Sequence, residues 1–183
     1  MNSCLLLVDL QNDYFPGGKM ELVDTETAAA NAQRLLTLFR QNQQPIVHIQ
    51  HLALQPGATF FLPGTDGAKI NPMVAPQEGE FVVVKNYPNS FRETGLLEIL
   101  QKAEINNLVI CGAMSHMCID ATTRAAFDLG FNSIVTEDAC TTKDLTFNDR
   151  TIKAADVHAA FMAALAAPYA KVVSVAEFIA DKV

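Results

Sequence analysis

Short apolar runs alternate along this chain with longer segments of helical spacing. Residues 4–8 (CLLLV) read as a buried strand. Thr25–Gln41 follows with Ala28, Leu35, Leu36 and Phe39 able to share one helical face, and Asp24 stands where an N-cap belongs. Residues 46–49 start a second strand after Pro45, and residues 81–84 (FVVV) a third, rich in β-branched side chains. Thr94 is placed to cap a helix running through Lys102. Residues 108–111 form the fourth strand, residues 117–129 a helix closed by Gly130, and residues 133–136 the fifth strand. A helix over residues 148–166 is ended by Pro168; Val172 and Val173 make a sixth strand, and Val175–Ala180 a final short helix.

Strands that are apolar almost throughout, each followed by a helix, imply a parallel sheet covered on both faces. With right-handed crossovers this becomes a three-layer α/β/α fold, doubly wound around a mainly parallel six-stranded sheet. The 183 residues suit a single domain, 1–183. No GxGxxG follows the first strand, so a dinucleotide cofactor is not expected. Residues 52–76, rich in Pro, Gly and polar side chains, read as a long functional loop.

Half of the residues are hydrophobic and 18% are charged, which supplies a sizeable core and excludes a disordered chain. The net charge is −7, with no cluster of Lys or Arg, so neither nucleic acid nor an anionic membrane surface is an expected partner. No apolar stretch approaches the ~20 residues that span a bilayer. The opening lacks the basic start and long apolar run of a secretion signal, and the expected location is cytoplasmic. Cys4, Cys111, Cys118 and Cys140 form no CxxC pair and are expected as free thiols.

In open α/β sheets, ligands bind at the carboxyl ends of the strands. Asp9 follows the first strand, Lys85 the third, and Cys118 the fourth at the start of the next helix. Taken singly, these are ordinarily a loop carboxylate, a solvated lysine and a structural cysteine. Together they form a nucleophile and acid/base set without a histidine. The helix dipole and an adjacent ammonium lower a thiol pKa, and a carboxylate takes the thiol proton and later protonates a leaving amine.

The segments LLLVDLQNDYFPGG, FVVVKNYPNSF and LVICGAMSHMCIDATTRAAFDLG, with the connecting FFLPGTDGAKINPMVAPQEGE, resemble the isochorismatase-like cysteine hydrolase superfamily in order and over nearly the whole chain. The resemblance implies a hydrolase that cleaves a C–N bond of a small amide or carbamoyl-type substrate through a thioester. Asp9 would be the general base and acid, Lys85 its charge partner and Cys118 the nucleophile. It further implies a cis peptide at Ala113–Met114 and an oxyanion hole from the backbone N–H groups of Met114 and Cys118. Gln11, Asn12, Phe15, Asn89, Phe91 and His116 are candidates to contact substrate, with Phe60 and Phe61 as further aromatics for the pocket.

Nicotinamidases in this superfamily hold a divalent metal through an Asp-x-His pair and a distant histidine. Here Ile49 stands at the aspartate position, and His48 and His51, three apart on a strand, point to opposite faces. No metal and no cofactor are expected. Three alternatives remain at this point: vinyl-ether hydrolysis of an isochorismate-type substrate, a catalytically idle binding protein on the same fold, and a redox sensor pairing Cys118 with Cys111. His158 is expected to be structural or at a subunit contact. A homodimer or homotetramer is expected, with the Ala-rich helix packing against a neighbour.

Overall fold

In the computed structural model, which describes residues 2–181, the alternation of apolar runs becomes a six-stranded sheet. Its strands are β1 (Ser3–Val8), β2 (Ile46–His51), β3 (Phe81–Lys85), β4 (Asn107–Ala113), β5 (Asn132–Thr141) and, after a hairpin, β8 (Lys171–Val173). Their spatial order is β3-β2-β1-β4-β5-β8, and all the pairings are parallel. The helices are α1 (Thr25–Gln41), α2 (Leu96–Lys102), α3 (Asp120–Asp128), α4 (Ala154–Leu165) and α5 (Val175–Ala180).

The two faces of the sheet follow from side-chain alternation along each strand. Leu5 and Leu7 join Ile46, Val109 and Cys111 under Leu35, Leu36 and Phe39 of α1 and Phe178 of α5. Cys4, Leu6 and Val8 point the other way, into a layer with Leu96 and Leu100 of α2, Ala126 of α3, and Met162 and Leu165 of α4. This is the expected three-layer arrangement.

Several expected elements differ. Asp24 occupies the position before α1, but its backbone is left-handed (φ 51°) and its side chain makes no capping bond. The cap residue of α2 is Gly95; Thr94 sits one place earlier, where its hydroxyl accepts from Leu96 N. The helix expected over residues 148–166 begins only at Ala154. Before it, β6 (Leu145–Phe147) and β7 (Arg150–Ile152) form an antiparallel hairpin whose turn residues, Asn148 and Asp149, both have positive φ. Asn and Asp tolerate that region, so the pair makes a tight hairpin turn where helical spacing alone suggested a helix start. β3 is one edge of the sheet, and the expected double coverage fails there: Val82 and Val84 are nearly half exposed.

Two connections position the site. The chain turns sharply after β4 because Gly112 (φ 123°) passes so close to β1 that a Cβ there would lie 2.0 Å from Val8 O. Only glycine fits such an approach. The loop after β2 is fastened to residues 10–13. Asn12 N donates to Lys69 O, Asp13 N to Gly67 O, and Asn71 N to Leu10 O. The buried Asp13 carboxylate accepts from Phe61 N at 2.7 Å and Lys19 N at 3.2 Å. None of the helices is long and apolar enough to cross a membrane, among the described residues.

Candidate active site

Asp9, His51, Lys85 and Cys118 converge where β1, β2, β3 and β4 end. Asp9 leaves β1 with a left-handed backbone (φ 53°), a conformation that costs a non-glycine residue on the order of 1 kcal/mol or more and tends to mark functional positions. His51 and Lys85 are register partners on adjacent parallel strands, so their side chains emerge side by side. Beyond the cis peptide Ala113–Met114, residues Ser115–Ile119 form a single π-type turn that leads into α3. Met114 O accepts from both Met117 N and Ile119 N. The expected helix therefore starts at Ser115 and is wound wider in its first turn, the turn that carries Cys118.

The centre of the cluster is the Lys85 ammonium. Its Nζ donates to Asp9 Oδ2 at 2.7 Å, His51 Nδ1 at 3.0 Å and Cys118 Sγ at 3.1 Å, using all three of its protons. Lys85 and Asp9 side chains are wholly excluded from solvent. Burial works against the ammonium, but the Asp9 carboxylate and Cys118 more than offset it, so the Lys85 pKa is raised and the side chain is charged. Asp9 Oδ1 is buried and has no hydrogen-bond partner among the described residues.

The expectation of a lowered Cys118 pKa is reversed. Burial pushes the thiol up and the Asp9 carboxylate pushes it further, while Lys85 only partly compensates. Desolvation of a sulfur that is 4% exposed outweighs the dipole of one helix turn. The resting group is a neutral thiol beside an ion pair.

A cavity of about 330 Å³ opens onto Cys118, a size suited to a small molecule. Tyr14, Phe60, Tyr87, Pro88, Met114 and Met117 make most of its wall; His51, Gln55 and Asn86 supply polar atoms. The lining includes no Lys, Arg, Asp or Glu. A second cavity of about 310 Å³, between the start of α1, the end of β5 and α4, reaches none of the four clustered residues.

Of the residues expected to contact substrate, none from the side-chain set lines this cavity. Gln11 is fully buried and spends its amide on the backbone, donating to His51 O and Ala68 O and accepting from His51 N. Asn12 ties the loop through Asp66 O and Asn71 Nδ2. Phe15 lies buried among Leu22, Ala29 and Phe61. Asn89 caps its own turn by accepting from Phe91 N, and Phe91 stacks on Phe131. His116 turns away, sharing a hydrogen bond of 2.6 Å with Thr142 Oγ1 beside the ring of Phe161. Phe60 reaches the cavity, and Phe61 lies behind it, packed on Tyr14 and facing the His51 ring at 6.0 Å. His158 bonds Ser115 Oγ in the nucleophile turn at 2.8 Å.

His51, Tyr14, Asn86, Tyr87 and Met117 reach the cavity without having been expected there. Tyr14, Tyr87 and Met117 lie within quoted motifs, and His51 was visible as the last residue of the second strand. What hid His51 was the geometry of chelation: the pair with His48 does diverge, His48 bonding Glu80 Oε2 at 2.9 Å on the far side, but only one of the two is needed here.

Asp9, His51 and Cys118 each offer a ligand atom, and these lie within 4.8 Å of one another. The Lys85 ammonium already bonds all three residues. A cation among them would meet that charge, so the donor set does not fit a metal ion. Cys111 packs under α1, whereas Cys118 belongs to the layer on the opposite face, so the sheet stands between the two thiols of the redox alternative.

Residues 3–177 match the model of the isochorismatase domain. The chain is 48% identical over 179 residues to an isochorismatase family protein of Bacillus subtilis, covering 98% of this chain and 99% of that one. Among solved structures, an isochorismatase-type hydrolase from Oleispira antarctica superposes with a TM-score of 0.95 at 56% identity, covering 98% of this chain and 96% of that one. A streptothricin hydrolase of Streptomyces noursei is 33% identical over 77% of this chain, which spans only 50% of that protein.

Proposed function

The chain belongs to the isochorismatase family and is a hydrolase, and on that premise we propose that it cleaves the C–N bond of a small, uncharged carboxamide through a thioester on Cys118. The carrying observation is the position of Lys85 Nζ, 2.7 Å from Asp9 Oδ2 and 3.1 Å from Cys118 Sγ, with Asp9 Oδ1 left unpartnered. The named activity of the streptothricin hydrolase relative is compatible with an amide-type substrate.

In the resting state the thiol keeps its proton, and the ion pair holds Asp9 beside it. When substrate enters, Asp9 takes the proton from Sγ and the sulfur attacks the acyl carbon. The backbone N–H groups of Met114 and Cys118, two residues that line the cavity, receive the oxyanion; losing one such donor typically costs ~10²–10³ in rate. The C–N bond breaks as Asp9 returns the proton to the leaving nitrogen. Water then gives a proton to Asp9 and attacks the thioester, and the departing sulfur is reprotonated as the acid leaves. Lys85 stays charged throughout, stabilising first the carboxylate and then the thiolate.

The apolar lining with neutral polar groups favours an uncharged body over the dicarboxylate that vinyl-ether hydrolysis would present, since the wall itself includes no Lys or Arg side chain. The test is intact-protein mass spectrometry after incubation with a panel of small carboxamides. An acyl adduct on the wild type and none on Cys118→Ala is expected. Turnover retained in Cys118→Ala, or no adduct and no product from any uncharged carboxamide, would refute the proposal.

A further inference from the structure

We propose that His51 is a substrate-binding residue, a neutral imidazole locked as the Nε2–H tautomer that donates into the cavity to an acceptor on the substrate beside the scissile group. The inference deepens the Cys118 reading and rests on it.

The lock follows from the chemistry of the partner. An ammonium only donates, so the Nδ1 that lies 3.0 Å from Lys85 Nζ must be an acceptor and carries no proton. The ring proton is therefore on Nε2, and an imidazolium would place a second proton against the ammonium. The surroundings agree: burial lowers the His51 pKa, with Lys85 adding to it and the Asp9 carboxylate, 3.8 Å away, opposing it. His51 does not act as the general base of this site, because the lone pair of Nδ1 is taken by Lys85 and Nε2 carries the proton.

The aim is fixed on both sides of the ring. Gln11 holds the His51 backbone by its N–H (2.7 Å) and its carbonyl (2.8 Å), and Phe61 faces the imidazole at 6.0 Å. The residue lines the cavity with Cys118. Nε2 has no hydrogen-bond partner among the described residues, and it is not among the buried unpartnered atoms, so it is open to whatever fills the cavity. A donor preset in this way, beside the nucleophile and without charge, selects a neutral substrate with an oxygen or nitrogen acceptor within a bond or two of the carbon that Cys118 attacks. The buried polar residue first offered as a substrate contact, Gln11, is then the support of the residue that makes the contact.

Two alkylating reagents separate this role from general damage to the site. Iodoacetamide carries a carbonyl oxygen two bonds from the attacked carbon; iodoethane has the same leaving group and no acceptor. In each, the Cys118 sulfur displaces iodide, a C–S bond forms, and the thiol proton passes to Asp9. The readout is the ratio of the two alkylation rates at Cys118, which cancels changes in thiol reactivity. His51→Asn keeps an acceptor toward Lys85, but its shorter amide leaves no N–H at the Nε2 position; His51→Gln places an amide N–H near the lost Nε2. The expected ratio falls about threefold to tenfold in His51→Asn, the worth of one hydrogen bond, and recovers in His51→Gln. An unchanged ratio in His51→Asn would overturn the proposal. So would nitrogen NMR of the wild-type ring showing the Nδ1–H tautomer or an imidazolium at neutral pH. Labelling that proceeds equally in Cys118→Ala would instead sink the nucleophile assignment, while the NMR result would still report on the tautomer.

Discussion

Replacing Lys85 by Met isolates the electrostatic centre of the site. The change keeps an unbranched stem of similar length and deletes the charge. In the wild type, Asp9 and Lys85 side chains are 0% exposed and bond at 2.7 Å. Lys85→Met strands a carboxylate in an apolar layer, with Oδ1 already lacking a partner. Removing one member of a buried pair costs about 3–5 kcal/mol, because the survivor keeps its desolvation and loses its partner. For a domain of this length each kcal/mol is worth ~2–4 °C in Tm, so the melting temperature should fall by roughly 6–20 °C at pH 7. Adding Asp9→Asn, which removes the stranded charge, should restore most of the loss. Calorimetry of the wild type, both single variants and the double variant checks this. A Lys85→Met protein as stable as wild type at pH 7, or strictly additive losses in the double variant, would refute the idea that the two charges depend on each other.

Two further outcomes follow from other ionisable groups. Because burial raises the Cys118 thiol and Lys85 only partly compensates, the ultraviolet thiolate band of wild type minus Cys118→Ala should be absent from about pH 6 to 9; a band present across that window, or one that rises within it, would contradict this. Glu80 holds Arg40 and His48 together and accepts from Gln77 N; although burial opposes it, these bonds bring its pKa down from 4.5 to about 2. A depressed carboxylate contributes stability above its unfolded pKa and loses it as pH falls toward 2, so Glu80→Gln should be less stable than wild type at pH 7 and match it near pH 2. Parallel denaturation curves at the two pH values test this, and an equal deficit at both would contradict it.

The layers, the parallel six-stranded sheet and three of the site's four converging residues were readable because they rest on local signals. An apolar run followed by a charged residue places that residue at a strand end, and the carboxyl ends of parallel strands lie along one edge of the sheet, where ligands bind. What escaped were properties of contact. Gln11 and Asn12 sit in the same motif as Asp9, yet their amides close on backbone groups some 40–60 residues away. Asn89 and Phe91 follow Lys85 closely but turn into their own bend and onto Phe131. His51 was discounted for making a poor chelate with His48, whereas its partner is an ammonium paired to it by register across β2 and β3. Cys118 was expected to have a lowered pKa because dipole and charge are visible in a sequence, and the depth of burial is not. The hairpin β6–β7 was hidden by a residue pair, Asn148–Asp149, that suits a helix start and a tight turn alike.

The loop that follows β2 gives the molecule a division of labour. The chemistry resides on strand ends and one helical turn, whereas Ala53, Gln55 and Phe60 of the cavity wall belong to a strap buckled at its far side to residues 10–13. As long as Asp13 and Gln11 keep their grip, the stretch between the buckle points can change length and side chains without moving the reacting atoms. Natural drift and laboratory selection are thereby offered the same shortcut: new substrates can be tried on by editing one surface segment, with the engine left running.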